Sequence, residues 1–325
     1  MSLAILGIDI SKDTFDVALL HAAAVRHAPP LANTPEGFRQ LQRWLEQQHV
    51  PPVHACLEAT GSYGEELATF LYAAGHVVSI VNPAAVKDFG KSELRRTKTD
   101  RTDAGLLARF CQQQQPRAWH PLPPELRDLQ ALLRRLESLQ QMRQMEANRL
   151  SSGLKVQAVV DSVQESLTFL DGQIRRLKQH IHDQVQSHPH LKQQRDLLTS
   201  IPGIGEQTAA SLLAEFPDLA AFASAREVAA YAGLTPQQRE SGSSVRGRAH
   251  LSKIGSARLR KLLYMPAIVA QRYNVILHAF AQRLRARGKH AMVVLAAVMR
   301  KLLHLAYGVL KSGRPFDPNY PQATT

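Results

Sequence analysis

The chain has 325 residues, of which 44% are hydrophobic, so it can bury sizeable cores and is not a fully disordered protein. Its 40 Lys and Arg residues against 27 Asp and Glu give a formal net charge of +13. This charge is typical of a protein that binds a polyanion, and it makes nucleic acid the leading partner. We expect no membrane partner, because no basic amphipathic anchor or lipidation motif accompanies the charge.

The cysteines and the longest apolar segments indicate a cytoplasmic protein. Cys56 and Cys111 have neither zinc-site nor disulfide spacing, which predicts two reduced core thiols. The apolar run Leu3–Ile8 lacks the charged leader of a signal peptide. The later run Ala291–Leu310 is interrupted by two basic residues and a histidine, and it predicts a buried helix rather than a membrane span.

The first third of the chain mixes short apolar runs with a helical pattern, which predicts an α/β domain. The predicted elements are a helix over Tyr63–Ala74 and strands over Leu3–Ile8, Phe15–Leu20, Ala55–Leu57 and Val77–Val81. Prolines at positions 116, 121, 123 and 124 then interrupt the chain, and no strand-like run follows for a long way. We therefore place a domain boundary after residue 115.

From Leu126 onward the apolar residues alternate steps of three and four, most clearly between Val163 and Ile181. This rhythm leaves two interpretations open: an amphipathic helix pair within one chain, or a coiled coil that joins two chains. The last third also has helical patterns, broken by Gly and Pro turns. The sequence thus predicts three parts: an α/β domain over 1–115, a helical coiled-coil spacer over 116–195 and an all-α domain over 196–325.

Four carboxylates stand where a metal site could form. The first predicted strand leads directly to Asp9, and the third leads to Glu58. Asp100 and Asp103 are three residues apart at a predicted helix start, so both side chains face one side of that helix. Any one of them alone is most simply a solvated or ion-paired surface residue. The set of four is what indicates a site.

Four converging carboxylates would repel one another unless a cation compensated them. Mg²⁺, with Mn²⁺ as its substitute, is the natural cation, because hard divalent ions prefer oxygen ligands and promote phosphodiester chemistry. The opening Gly7–Lys12 is shared by ribonuclease H-like nucleases and actin-like kinases. The second half lacks the Asp- and Gly-containing phosphate loop of the actin-like proteins, and the positive charge also favours a nuclease.

Two segments of the last third indicate contact with phosphate. Ser200–Gly205 resembles a helix-hairpin-helix turn whose backbone N–H groups approach a phosphate; the alternative is an ordinary connection between helices. Glu240–Arg248 is a hydroxyl-rich cationic loop in which a serine could be a nucleophile, although most such loops have no chemical role. The residues predicted to contact nucleic acid are Gly203, Gly205, Lys98, Arg101, Arg246, Arg248, Lys253 and Arg258.

Together these motifs resemble the DEDD-type insertion-sequence transposases related to the Piv DNA invertase, some of which are guided by a bridge RNA. The resemblance runs from about Gly7 to Phe316. Each motif alone is weak evidence of this family, whereas the whole set is highly specific for it. Its landmarks are Gly7–Asp9, Leu57–Gly61, Asn82–Pro83, Lys98–Ala104, Ile201–Gly205, Ala232–Pro236 and Glu240–Gly247.

The resemblance implies that Asp9, Glu58, Asp100 and Asp103 are the acidic tetrad of a ribonuclease H-like domain similar to that of the RuvC resolvase, with Mg²⁺ as cofactor. It also implies that Ser241 joins the DNA strand covalently. It further implies a homodimer or homotetramer in which the acidic domain of one subunit meets the serine domain of another. Donor and target double-stranded DNA are the implied partners, and a bridge RNA is implied by the family alone.

The sequence therefore predicts an α/β plus all-α protein with a RuvC-like N-terminal domain, a coiled-coil spacer and a helical C-terminal transposase domain. Its predicted function is excision and insertion of a mobile element by metal-dependent strand cleavage and rejoining through a serine–DNA intermediate. The nearest enzymatic alternative is a hydrolytic RuvC-like junction resolvase, in which water attacks and Ser241 only positions phosphate. The alternative from another class is a non-catalytic nucleic-acid-binding protein.

Overall fold

A computed structural model of the chain describes residues 4–22, 24–50, 52–59, 63–93, 100–216, 222–237, 240–241, 245–246, 250–252 and 254–319. For residues 100, 101, 240, 241, 245, 246 and 250 it describes the backbone only. The chain forms two compact units, Met1–Pro121 and Leu122–Thr325. The predicted α/β beginning and the helical C-terminal region are confirmed. The three-part division at residues 115 and 195 stays a prediction.

Unit 1 is built on one mixed sheet. Its elements are β1 Ile5–Ile10, β2 Thr14–His21, β3 Ala24–His27, β4 Leu31–Ala32, α1 Pro35–Gln47, β5 His54–Glu58, α2 Glu65–Ala73, β6 Val77–Val81, α3 Pro83–Ser92 and α4 Asp100–Gln114. The sheet order is β3-β2-β1-β5-β6, with β4 beside β2. Strands β1, β2 and β3 pair antiparallel, whereas β1, β5 and β6 pair parallel. The four predicted strands and the predicted helix are each confirmed to within two residues.

The sheet of unit 1 has an apolar core on each face, because successive strand residues point to opposite sides. Leu6 and Ile8 belong to the core that α1 and α2 cover. Ile5 and Cys56 belong to the other core, which α3 and α4 cover. Both faces of β1 and β5 are therefore buried, and their polar residues are confined to the strand ends.

Unit 2 is mostly helical. Its helices are α5 Pro124–Ser151, α6 Gln157–Gln186, α7 Pro189–Thr199, α8 Glu206–Glu215, α9 Ala225–Tyr231, α10 Ala257–Tyr273, α11 Val275–Ala286 and α12 Ala291–Ser312. Between α9 and α10 lie two short antiparallel pairs: β7 Pro236–Gln237 with β10 His250–Leu251, and β8 Glu240–Ser241 with β9 Val245–Arg246. Helices α5 to α12 share one hydrophobic core.

Helices α5 and α6 pack against each other as a hairpin within the chain. Apolar residues of the three-four pattern, such as Leu129 and Ile174, lie buried in the shared core. Farther along the hairpin, Arg143 of α5 forms an ion pair with Asp171 of α6 at 2.5 Å. The pattern therefore specifies an intrachain helix pair, and its pairing with a second chain stays a prediction.

Helix α12 is the one helix among the described residues that is long and apolar enough to cross a membrane. Half of its most apolar window is buried inside the protein. Val298 and Leu302 are fully buried and pack in the core of unit 2. The burial agrees with the prediction of a core helix over Ala291–Leu310.

Candidate active site

Two predicted site residues lie side by side at the C-terminal ends of parallel strands. The register of β1 and β5 pairs Gly7 with Cys56 and Ile8 with Leu57. The next step along both strands brings Asp9 beside Glu58. Both residues are half-buried, whereas the residues just before them in the strands are buried. The sheet thus fixes two carboxylates at one edge while their neighbours pack in the core.

Helix α4 packs backbone against backbone on the face of the sheet to which Gly7 and Asp9 belong. A Cβ atom built on Gly7 would lie 2.0 Å from the carbonyl oxygen of Ala104 and 2.4 Å from the backbone nitrogen of Ala108. Only a glycine permits so close an approach of strand and helix. This contact lies one residue from Asp103 along the helix and two residues from Asp9 along the strand.

The direction of α4 follows from its second half. Cys111 is in contact with Cys56 in the middle of β5 and with His54 at its start. Helix α4 therefore runs opposite to β5, and its first turn lies toward the strand end that carries Glu58. That turn contains Asp100 and Asp103, of which Asp103 is half-buried. The backbone thus directs all four predicted carboxylate positions to one edge of unit 1.

Among the described side chains, no group of three or more His, Cys, Asp or Glu residues is close enough to hold a metal ion. The side chain of Asp100 is outside that description. Of the tetrad, Asp9, Glu58 and Asp103 are described, and each is held by a separate element. Their role as metal ligands stays a prediction.

A further carboxylate stands across from Asp9 and was missed in the sequence analysis. In the β1–β2 hairpin Asp9 is paired with Asp16, and the preceding pairs are Ile8 with Val17 and Gly7 with Ala18. Directly opposed residues of an antiparallel pair point to the same face, so Asp16 is on the α4 side. Asp16 is half-buried. The alternation of β2 was the signal that could have identified it.

Asn33 ties together the two loops that follow the acidic strand ends. Its Nδ2 donates hydrogen bonds to the carbonyl oxygen of Ser11 and to that of Tyr63, both at 3.1 Å. Ser11 follows β1, and Tyr63 lies in the segment between β5 and α2. Asn33 therefore holds the chain beyond Asp9 against the chain beyond Glu58, and nothing in the sequence pattern predicted this role.

The two cysteines lie beneath the acidic edge. Both are free and buried, as predicted. A hydrogen bond with Cys111, followed by burial and the charge of Glu58, raises the pKa of the Cys56 thiol. The influence of Glu58 on Cys56 agrees with their position two residues apart on one strand face. Both thiols are thus core groups, and the charge of Glu58 acts on the Cys56 thiol.

The predicted nucleophile belongs to unit 2. Ser241 lies in β8 and is paired with Val245 of β9. Its loop is closed at the base by the pairing of β7 with β10, in which Gln237 faces His250 and Pro236 faces Leu251. The serine segment is therefore held by two short antiparallel pairs between α9 and α10. The side chain of Ser241 is outside the described part.

The predicted phosphate contacts have different surroundings. Gly203 has a φ of +111°, and a Cβ on it would lie 2.7 Å from Cβ of Ala270, so packing alone requires glycine there. Gly205 is exposed and has open space around it. Arg258 forms ion pairs with Glu215 at 3.0 Å and with Glu137 at 3.4 Å. Lys98, Arg248 and Lys253 lie outside the described residues, and Arg101 and Arg246 are described by backbone alone.

Comparison with known proteins gives the family. Residues 6–157 match the DEDD-type transposase family of IS110, and residues 195–282 match the transposase family IS116/IS110/IS902. The chain is 35% identical to the pilin gene-inverting proteins of Moraxella bovis and Moraxella lacunata, over 98% of each chain. It is 26% identical to the transposase for insertion sequence element IS1328 of Yersinia enterocolitica, over 97% of this chain and 99% of that protein. The chain belongs to the IS110 family of transposases.

Proposed function

We propose that this chain is a DNA recombinase that excises and inserts a mobile element by cutting and rejoining phosphodiester bonds. Its family makes it an enzyme that acts on DNA. The observation that carries the proposal is the acidic edge, where Asp9 and Glu58 lie at the C-terminal ends of neighbouring strands and the first turn of α4 is directed toward them. The net charge of +13 suits a DNA substrate.

We infer that unit 1 is a ribonuclease H-like domain similar to that of the RuvC resolvase. An antiparallel β1-β2-β3 meander continues into parallel β5 and β6, and helices cover both faces. In such an open sheet, ligands bind beyond the carboxyl ends of the parallel strands. The position of Asp9 and Glu58 at those ends supports the inference.

Asp9, Glu58, Asp100 and Asp103 would hold Mg²⁺, with Mn²⁺ as a substitute. All four are carboxylates, and this donor set fits a hard divalent ion. The family is typically metal dependent. When bound, the ion supplies Lewis-acid activation of phosphodiester oxygens. The protein supplies the geometry, because two ligands stand on a buried sheet and two on a helix packed tightly against it.

We assign the nucleophile to Ser241. Its Oγ forms a bond to the phosphorus while the bond from phosphorus to the leaving deoxyribose oxygen breaks, and the hydroxyl proton leaves as the released oxygen gains one. The DNA end is then held as a phosphoserine ester. Attack on this ester by a deoxyribose hydroxyl reverses the step and rejoins the strand. The ester conserves bond energy, so rejoining needs no external energy source.

Substitution of Ser241 tests this assignment. Ser241→Ala is expected to abolish both strand exchange and the covalent protein–DNA adduct, because the Oγ atom that forms the ester is absent. The adduct is measured by denaturing electrophoresis of labelled element-end DNA. Ser243→Ala removes a hydroxyl from the same loop and is expected to retain the adduct. Intact strand exchange by Ser241→Ala would refute the nucleophile, and hydrolysis without an adduct in the wild type would favour a junction resolvase.

The proposed partners are donor and target double-stranded DNA. Phosphate contacts are proposed for the cationic residues of the two site segments, Lys98, Arg101, Arg246, Arg248 and Lys253. Arg258 is proposed to contact phosphate as well, in addition to its ion pairs with Glu137 and Glu215. The backbone of Gly203 and Gly205 is proposed to approach phosphate at the turn before α8. We place the reaction in the cytoplasm, where the element's DNA is accessible.

A bridge RNA is proposed as the source of sequence specificity. The predicted DNA contacts are all contacts to phosphate, which position the DNA but carry no sequence information. A guide strand would supply the missing base recognition. Sequencing the RNA that copurifies with the protein tests the proposal, and recombination at the correct sites by RNA-free protein would refute it.

A homodimer or homotetramer is proposed from the surface of the α5–α6 hairpin. Met145 of α5 and Phe169 of α6 are 58% and 63% exposed. They lie in the stretch of the hairpin where Arg143 pairs with Asp171. Apolar side chains exposed at this density on a helical hairpin are typical of an interface between chains.

Phe169→Glu is expected to weaken self-association at least about tenfold, because it places a charge in the apolar interface. The subunit mass is measured by light scattering over a range of protein concentrations. Gln164→Glu adds the same charge to an exposed position of the same helix and is expected to leave the mass unchanged. An unchanged mass in Phe169→Glu would exclude this surface as the interface.

A further inference from the structure

Unit 2 contains a large cavity that the proposed mechanism does not use. It lies among β7, β10 and helices α9 to α12, and its volume is about 1540 Å³. Small-molecule pockets have volumes of about 300–1,000 Å³. The cavity therefore has the size of a site for a polymer segment rather than for a single metabolite.

The charged side chains that line the cavity are all basic. They are Arg226, Arg260, Lys261, Arg300 and Lys301, and the described lining residues include no carboxylate. Lys261 is paired with Glu137 outside the cavity, and Arg260 donates to the carbonyl oxygens of Ala232 and Gly255. Arg226, Arg300 and Lys301 have no ion pair within 4.0 Å in the described part of the chain. Three cations on one wall thus have no carboxylate partner there, and the Nζ of Lys301 lies 5.9 Å from the ring centroid of Phe280.

Polar atoms on the same wall lack partners. Nε of Arg300 and Nε2 of His304 are buried, and neither has a hydrogen-bond partner in the described part. Burial, followed by the charges of Arg300, Lys301 and Arg226, lowers the pKa of His304 to about 4. A buried polar group without a partner costs free energy, and like charges held together add to that cost. A bound anion would relieve both.

The rest of the cavity is apolar and aromatic. Tyr264 and Phe280 line it, and Met265 and Met292 line it while 61% and 55% exposed. A free phosphate needs no such surface, and a DNA duplex keeps its base faces stacked inside. An unpaired strand offers bases to an apolar floor and phosphates to a cationic wall, which is the combination found in proteins that bind single strands.

The cavity also reaches the segment that carries the proposed nucleophile. Pro236 and Leu251 both line it. These two residues are paired across β7 and β10, at the base of the loop that contains Ser241. A strand lying in the cavity would therefore approach the serine loop at its base.

We propose that this cavity binds an unpaired DNA strand, with bases against Tyr264 and the methionines and phosphates at Arg226, Arg300 and Lys301. The inference deepens the proposed function, on which it rests, because cutting and rejoining DNA strands exposes unpaired segments beside the nucleophile. DNA is the occupant we choose because the family acts on DNA. A second copy of the same cationic surface would be repelled, which disfavours self-association here.

The charge-reversing double substitution Arg226→Glu with Lys301→Glu tests the cationic wall. Both side chains are exposed. Affinity of the full chain for short fluorescein-labelled oligo(dT), measured by anisotropy without divalent metal, is expected to fall at least tenfold. Each lost phosphate contact lowers the salt dependence of single-strand binding by roughly 0.7, so the slope should fall by roughly 1.4. The control is Lys311→Glu with Arg314→Glu, which reverses two exposed charges at and just beyond the end of α12. It leaves the cationic wall intact, so the contribution of the wall to oligo(dT) affinity and to its salt dependence should be unchanged.

A tyrosine pair tests the apolar floor. Tyr264→Ala is expected to weaken oligo(dT) binding about tenfold and to leave binding of a DNA duplex unchanged, because stacking on one base is worth about 1–3 kcal/mol. Tyr273→Ala removes a tyrosine that is 62% exposed on the same helix but outside the cavity, and it should leave both affinities unchanged.

Four results would overturn the inference: no change in oligo(dT) affinity, equal losses for duplex and single strand, stronger binding of oligo(rU) through the same residues, or a change in subunit mass with unaltered DNA affinity. The third would make RNA the occupant, and the fourth a second copy of the chain. The assay requires no recombination. If Ser241 is not the nucleophile, the result of the oligo(dT) binding assay still holds. If the cavity does not bind single strands, the Ser241 assignment still holds.

Discussion

Asp9→Asn is expected to lower the rate of DNA strand cleavage about 10³-fold, the scale seen when one preorganised electrostatic group of an active site is removed. The substitution removes a negative charge and one strong oxygen ligand but keeps the size of the side chain. Asp9 lies near the end of the buried strand β1 and has Asp16 across from it, and the β1–β5 register, continued one step beyond Ile8 and Leu57, puts Glu58 beside it. Folding should therefore be retained while the affinity of the edge for a divalent ion falls.

Asp13→Asn is the matched control, because Asp13 is an exposed carboxylate in the turn of the same hairpin. It should cleave at the wild-type rate. Cleavage is measured with Mg²⁺, with Mn²⁺ and after chelation, and DNA binding and thermal unfolding are measured alongside. Full activity of Asp9→Asn would exclude Asp9 from the active site. Loss of folding in Asp9→Asn would instead give that carboxylate a structural role.

The strands of unit 1 could be predicted because their burial is recorded in local sequence. Parallel strands covered on both faces are continuously apolar, and a charged residue is tolerated only where burial ends. Asp9 and Glu58 are visible for this reason. Strands β3 and β4 escaped prediction because they are short and largely exposed, so neither alternation nor a long apolar run marks them.

The relation between the strands and α4 could not be read from local patterns. Gly7 resembles any strand glycine in the sequence, and only the fold shows that the backbone of Ala104 lies against it. The alternation of β2 places Asp16 on one face of its strand, but its position opposite Asp9 depends on the register of the hairpin. Long-range register and packing decide which carboxylates share an edge.

In unit 2 the sequence indicated which residues are basic but not which of them form ion pairs in the folded protein. Arg258 was predicted to bind nucleic acid, yet two glutamates from other helices lie against it. Arg226 and Lys301 were not among the residues predicted to bind nucleic acid, although both line a cavity whose described residues include no carboxylate. Pairing between helices determines which cations remain available, and that pairing is a property of the tertiary structure.

Gly7→Ala is expected to destabilise unit 1 by about 3 kcal/mol or more, at the upper end of the usual cost of overpacking. The added Cβ would lie 2.0 Å from the carbonyl oxygen of Ala104 and 2.4 Å from the backbone nitrogen of Ala108. Both are backbone atoms, so no side-chain rotation relieves the clash and α4 must move away from β1. Any folded population should also lose cleavage activity, because Asp103 moves with the helix.

Gly105→Ala is the matched control for this substitution. Gly105 lies in α4 next to Ala104, but a Cβ on it would meet nothing within 4 Å. Alanine in a helix is favoured over glycine by about 0.5–1 kcal/mol, so Gly105→Ala should raise the unfolding temperature slightly and retain activity. Combining Gly7→Ala with Ala104→Gly should restore neither stability nor cleavage activity, because the clash is with the main chain. Rescue by that pair would mean that side chains, rather than backbone contact, set the distance between the strand and the helix that carry the acidic edge.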